Sequence, residues 1–118
     1  MPHQLPQGAY LQDISAHYNQ LTIPRTLLRA APLASGFWGR LVVDEGKLRL
    51  FLDGAAQPRI VTPEDAEVIP AGVEFKVEEA GGPVRFYLEY YHVPRLEDGA
   101  ELAGLLAGNA SRRSGSSR

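Results

Sequence analysis

The residues with the clearest chemistry lie between Arg85 and Tyr91. This stretch reads RFYLEYY and has the aromatic-rich composition that favours a β-strand. Because side chains alternate along a strand, Glu89 shares a face with Arg85, Tyr87 and Tyr91. Inside a barrel, such a carboxylate can act as a general acid or base, or can hold a ligand's amine or hydroxyl group. On an outward face it is an ordinary solvated charge, and alternation alone does not identify the inner face.

Four further side chains can contribute to a ligand site. Arg40 and Arg29 are able to bind a ligand carboxylate through two parallel hydrogen bonds, although a structural ion pair between Arg40 and Glu89 is the alternative. Trp38, the only tryptophan, can stack on a flat ligand or fill the core. Tyr87 can supply a hydroxyl group to a pocket or cover the outside of the domain.

The sequence has few groups suited to binding a metal. It contains no cysteine and three histidines, His3, His17 and His92, which form none of the known ligand spacings. The serines lack the context of an activated nucleophile. We therefore predict that the protein uses no metal and no cofactor.

Composition limits the class of protein. The chain has 118 residues, a net charge of −2 and 44% hydrophobic residues, which suits one globular domain. The charge argues against a nucleic-acid partner. No apolar run approaches the roughly 20 residues of a membrane span, and no secretory signal is recognisable. These features predict a cytoplasmic protein with no membrane partner.

Glycines and prolines, 12 and 9 in number, divide the sequence into seven or eight short segments typical of an all-β fold. The first dozen residues resemble an irregular arm. Gly46 is expected to form a tight turn with positive φ, and the stretch 81–83 to close a hairpin. Residues 99–107 predict a short C-terminal helix, whose leucines form an apolar stripe suited to a homodimer contact or to packing on the barrel: Leu102, Leu105 and Leu106. Residues 1–108 are thus expected to form the domain and 109–118 a disordered tail.

Several segments resemble a family of small cupin-like proteins, the TehB/YeaR-like group that is linked by name to tellurite resistance. The resemblance runs from about Ile14 to Pro94. It is carried by residues 22–24 and 27–29, by the Gly-x-Trp-Gly strand and turn over 36–48, and by 68–70 with 82–91. It implies a cupin-like double-stranded β-helix, which is a small jelly-roll barrel with one open mouth.

The sequence departs from this family at two positions. Members usually carry histidines where this chain has Ala31 and Phe75, and cupins use inward histidines to hold a divalent metal. The resemblance therefore implies a lumen that is apolar at Phe75, which joins Arg29, Trp38, Arg40 and Tyr87 as a predicted ligand-binding residue. It also implies that the strand of Glu89 lines the lumen, so we predict Glu89 and Tyr91 as catalytic residues.

Three functions are compatible with these residues. The first is a metal-independent cupin-like protein that binds a small organic molecule in an aromatic-lined lumen. The second is a metal-free isomerase, epimerase or cyclase that uses the same lumen for acid–base chemistry. The third is a divergent metal-binding cupin of a stress response. The sequence does not decide whether the protein is an enzyme.

Overall fold

The computed structural model describes residues 4–93, which form an all-β structure of eight strands and one short 3-10 turn. The strands are β1 (Tyr10–Ile14), β2 (Tyr18–Asn19), β3 (Phe37–Glu45), β4 (Leu48–Leu52), β5 (Arg59–Val61), β6 (Glu67–Ile69), β7 (Phe75–Glu79) and β8 (Arg85–His92); the 3-10 turn is Arg25–Leu27. The all-β prediction is confirmed. The expected helix over 99–107 and tail over 109–118 lie outside the described residues. No helix in the described part of the chain has the length and hydropathy that a bilayer crossing needs.

The strands form two antiparallel sheets. The five-stranded sheet has the order β1-β8-β3-β6, and β2 also pairs with β8. The three-stranded sheet has the order β5-β4-β7. The predicted hairpin over 81–83 is wrong, because β7 and β8 belong to different sheets. A glycine pair makes any sharp reversal possible, so it does not specify whether the next strand pairs with the previous one.

The core lies between the two sheets, where alternate residues of β3, β4, β7 and β8 are buried. On β8 these are Phe86 and Leu88, and on β3 they are Leu41 and Val43. The corresponding core residues of the three-stranded sheet are Leu48, Leu50, Leu52, Val61, Phe75 and Val77. Because successive side chains point to opposite faces, Glu89 lies on the face of β8 turned away from the core. The prediction that Glu89 faces the interior is therefore wrong.

The N-terminal segment is more regular than its sequence indicates. The expectation of an irregular arm is wrong from Tyr10 onward, since Tyr10–Ile14 pairs with β8 at the edge of the larger sheet. The register shifts between Leu11 and Asp13, which leaves Gln12 as an extra residue in the strand. Such a bulge breaks the period-two pattern by which a strand is recognised in a sequence.

Candidate functional site

Three of the predicted site residues meet on the outward face of the larger sheet. Arg40 on β3 lies opposite Glu89 on β8, and its Nη1 atom donates a hydrogen bond of 2.9 Å to Glu89 Oε1. The Tyr91 hydroxyl donates to the same oxygen over 3.1 Å. The Glu89 side chain is only 13% exposed and that of Arg40 is 41% exposed. We call Arg40, Glu89 and Tyr91 the outer-face cluster.

The electrostatics of the outer-face cluster favour a structural role. The hydrogen bond to Glu89 raises the pKa of Arg40, although burial acts in the opposite direction. Burial raises the pKa of Tyr91, and the hydrogen bond to Glu89 raises it further. Both donors therefore hold their protons near neutral pH, and the Glu89 oxygen that they share is already engaged. This is the structural ion pair that the sequence left open as the alternative for Arg40.

Replacing Glu89 with glutamine is expected to lower the free energy of unfolding by about 1 kcal/mol, because Arg40 loses a charged acceptor while remaining largely hydrated. Glu78→Gln is the matched control. Glu78 pairs with Arg49 at 3.9 Å and Lys76 at 3.5 Å on an exposed surface, so its loss should change stability by less than about 0.5 kcal/mol. Urea denaturation measures both. Equal effects of the two substitutions would show that the outer-face cluster adds nothing to stability.

Two more predicted residues lie on the same outward face. Trp38 is paired with Tyr91 across β3 and β8, and Tyr87 is paired with Val42. The Tyr87 ring contacts His17 with 4.6 Å between ring centroids. Trp38 also lines a cleft of about 530 Å³ together with Pro32, Leu33, Ser35, Gly36, Ala71, Gly72 and Val93. Among residues 4–93, Ser35 is the only polar side chain that lines the cleft apart from the indole, so these residues offer little with which to orient a ligand.

Phe75 and Arg29 lie apart from the outer-face cluster. Phe75 is buried in the core at the start of β7. Its backbone exchanges two hydrogen bonds with Ala31, of 3.2 Å and 3.0 Å, which form an isolated β-bridge. The two positions at which the family resemblance places histidines are thus direct neighbours. Arg29 lies in an exposed cleft with Arg25, Thr26 and Ala31.

A different pocket lies on the core side of the larger sheet. It has a volume of about 220 Å³ and is lined by Gln12, Asp13, Ala34, Phe37 and Tyr90, which we call the mouth pocket. Asp13 on β1 is the register partner of Tyr90 on β8, so both side chains are on the same face. Tyr90 also packs against the core. Burial raises the pKa of Tyr90, and Tyr18 and Asp13 raise it further, so its phenol remains protonated and able to donate a hydrogen bond.

The end of β8 adds a further polar group beside the mouth pocket. His92 is paired with Tyr10 and with Phe37, and its ring lies 5.4 Å and 6.0 Å from theirs. Its Nδ1 atom is buried and has no hydrogen-bond partner among residues 4–93. A buried nitrogen without a partner destabilises the fold unless another group bonds to it. The mouth pocket therefore combines aromatic walls with a carboxylate, an amide, a phenol and a nearby imidazole.

Sequence reasoning missed the mouth pocket for two reasons. Tyr90 and His92 follow Phe86 and Leu88 at even spacing, and recognition of that apolar face as the inner one would have identified both. Asp13 carried no comparable signal, because its strand is interrupted by the bulge at Gln12.

The chain does not offer the ligands that a cupin metal would need at the two family positions. Ala31 and Phe75 have no metal-binding atoms in their side chains. Within residues 4–93, no three histidine or acidic side chains lie close enough together to hold a metal ion.

Two facing antiparallel sheets with an apolar core between them define a small all-β domain. The chain belongs to the TehB-like domain family, whose pattern matches residues 15–88. That match ends just before Glu89 and leaves out Asp13 and Tyr90. No curated protein sequence is similar enough to the chain to count as a relative.

Solved structures that share this fold include the following two. A crystal structure of a protein from E. coli K12 superposes with a TM-score of 0.68 at 18% identity, covering 79% of this chain and 99% of the other. The crystal structure of TehB from Haemophilus influenzae gives a TM-score of 0.67 at 14% identity. It matches 95% of this chain, which spans only 37% of that protein. At these identities the similarity concerns the fold alone.

Proposed function

We propose that the protein is a cupin-like domain that binds a small organic molecule in the mouth pocket without a metal. The observation that carries this proposal is the pairing of Asp13 with Tyr90 beside the Phe37 ring in a pocket on the core side of the larger sheet. Binding sites for small molecules combine apolar walls with a few converging polar groups. The polar anchors are thus Asp13 and Tyr90, in place of Glu89 and Tyr91.

The strand order supports the cupin-like assignment. A jelly roll consists of two facing antiparallel sheets built from two Greek keys, in which successive strands often belong to opposite sheets. Here the chain passes between sheets from β3 to β4, from β5 to β6, from β6 to β7 and from β7 to β8. The bridge between Ala31 and Phe75 lies at the β7 edge of the smaller sheet, on the side of β7 that does not pair with β4.

The chemistry of the mouth pocket favours a small cationic or hydroxylated aromatic ligand. Its volume of about 220 Å³ is below the roughly 300–1,000 Å³ of sites for drug-sized molecules, which suits a single ring. Asp13 attracts a positive charge, and Phe37 offers a face for ring stacking and cation–π contact. Tyr90 donates a hydrogen bond to an acceptor or takes one from a hydroxyl group. The same Asp13–Tyr90 pair would also serve the metal-free acid–base enzyme that the sequence leaves as the alternative.

Binding of phenethylamine tests this proposal, with 3-phenylpropionate as a ligand of similar shape and opposite charge. In amide NMR spectra, the amine should shift the signals of Asp13, Phe37 and Tyr90, whereas the acid should not. Asp13→Asn should weaken amine binding by roughly tenfold, which is the effect of losing one charged hydrogen bond. Glu89→Gln, on the opposite face, should leave the affinity unchanged. Equal binding of the acid, or shifts confined to the outer-face cluster, would disprove the proposal.

A further inference from the structure

Two arginines line one cleft outside the sites described above. The cleft has a volume of about 310 Å³ and is lined by Arg25, Thr26, Arg29 and Ala31. We call it the arginine cleft. Within residues 4–93, neither Arg25 nor Arg29 has an acidic side chain within 4.0 Å. The adjoining cleft at Ala30 contains Asp53, Glu74 and Lys76, and the carboxylates of Asp53 and Glu74 do not come within that distance of these arginines.

Three of the other four arginines among the described residues are paired, and Arg85 is the remaining unpaired one. Arg40, Arg49 and Arg59 each lie within 4.0 Å of a glutamate. The chain as a whole carries a net charge of −2, so acidic groups are not scarce. Two positive charges around one small cleft repel each other, and a bound anion offsets this repulsion because it attracts both of them.

The backbone that carries the two arginines is fixed at two points. Leu27, between them, is buried in the core, and its amide donates to the Pro24 carbonyl over 3.0 Å. The Leu28 amide donates to the Arg25 carbonyl over 3.0 Å, which closes the 3-10 turn. Ala31 is held by the two hydrogen bonds of its bridge to Phe75. The two side chains therefore start from a rigid segment, which lowers the entropy lost when both engage one ligand.

The functional groups of the cleft match a phosphate. Each guanidinium presents a planar fork of donors that fits an oxyanion through two hydrogen bonds. One arginine is enough to neutralise a carboxylate. Two guanidinium groups match the two negative charges of a tetrahedral phosphate better. The Thr26 hydroxyl supplies a further donor.

We propose that the arginine cleft is a phosphate-binding site that uses Arg25, Arg29 and Thr26. The site is distinct from the mouth pocket, and the proposal does not depend on the function proposed above. It takes a dianionic phosphate, either as the free ion or as a monoester.

Titrations at constant ionic strength test this site, with inorganic phosphate and phenyl phosphate as the two probes and amide NMR as the readout. Both probes should shift the signals of residues 25–31, and sodium chloride at the same ionic strength should not. A higher affinity for phenyl phosphate identifies a monoester as the ligand class, and equal affinities identify the free ion. A wild-type protein that binds neither probe overturns the proposal.

Substitutions of single arginines locate the binding site. Arg25→Gln and Arg29→Gln should each weaken phosphate binding by roughly tenfold, and the double variant should abolish it. Arg85→Gln is the matched control, because Arg85 is also exposed and has no acidic partner within 4.0 Å among the described residues. The control should bind phosphate like the wild type. Both cleft arginines are exposed, so thermal melting should be unchanged in every variant. Phosphate binding that survives in the double variant would overturn the proposal.

Discussion

Phe86→Ala is expected to lower the free energy of unfolding by about 3–5 kcal/mol, because truncation removes a large buried ring and leaves a cavity. Phe86 is the second residue of β8 and is fully buried, and its ring lies 5.6 Å from that of Tyr18. Single domains have only about 5–15 kcal/mol of stability in total. The variant should therefore be close to its unfolding transition at room temperature.

Tyr87→Ala is the matched control, because it removes a ring of similar size from the next position of the same strand. Tyr87 lies on the outward face and is only partly buried, so its loss should cost about 1 kcal/mol. Urea unfolding curves for the two variants measure the difference. A larger effect of Tyr87→Ala would mean that β8 presents its other face to the core, since a shift of one residue exchanges the two faces of a strand.

Gly46→Ala is expected to destabilise the fold by about 3 kcal/mol, from a strained backbone angle and a steric collision together. Gly46 has a φ of +78°, which confirms the positive φ predicted from the sequence, and it lies in a bend that connects β3 and β4 of different sheets. An added Cβ atom would collide with the carbonyl oxygen of Pro83, just before β8. Because that oxygen belongs to the backbone, the collision can be relieved only by moving one of the two segments.

Gly54→Ala separates the two contributions to the effect at Gly46. Gly54 has a φ of +85°, but no atom lies within 4 Å of the position that its Cβ would occupy. Its substitution should therefore cost only the backbone strain, about 1 kcal/mol. Denaturation midpoints for both variants give the comparison. If the two substitutions cost the same, the contact between Gly46 and Pro83 does not constrain the fold.

The sequence predicted where strands and turns lie better than it predicted which face of a strand is buried. The strands from β3 to β8 follow apolar alternation and Gly- or Asp-rich turns, which are local signals. Both faces of β8 are rich in aromatic residues, so alternation did not distinguish the Phe86 side from the Glu89 side. That choice depends on β3 and β4 packing across the core, which is a long-range interaction with no local signal.

The sequence predicted the residues of the outer-face cluster but not those of the mouth pocket, for the same reason. Arg40, Glu89 and Tyr91 do lie together, because their shared face follows from period-two geometry once β3 and β8 pair. Asp13 lies in the mouth pocket only because β1 pairs with β8, and this pairing connects residues that are far apart in the sequence.

The position of β8 at the centre of the larger sheet affects the order in which the protein can be assembled during synthesis. This strand is the register partner of β1, β2 and β3. Until residues 85–92 leave the ribosome, β1 and β2 have no partner strand, and β3 has only β6. The smaller sheet needs no residue beyond β7, so its pairing can precede that of the larger one. Nascent chains that stall before β8 expose their unpaired edge strands, which are surfaces prone to aggregation.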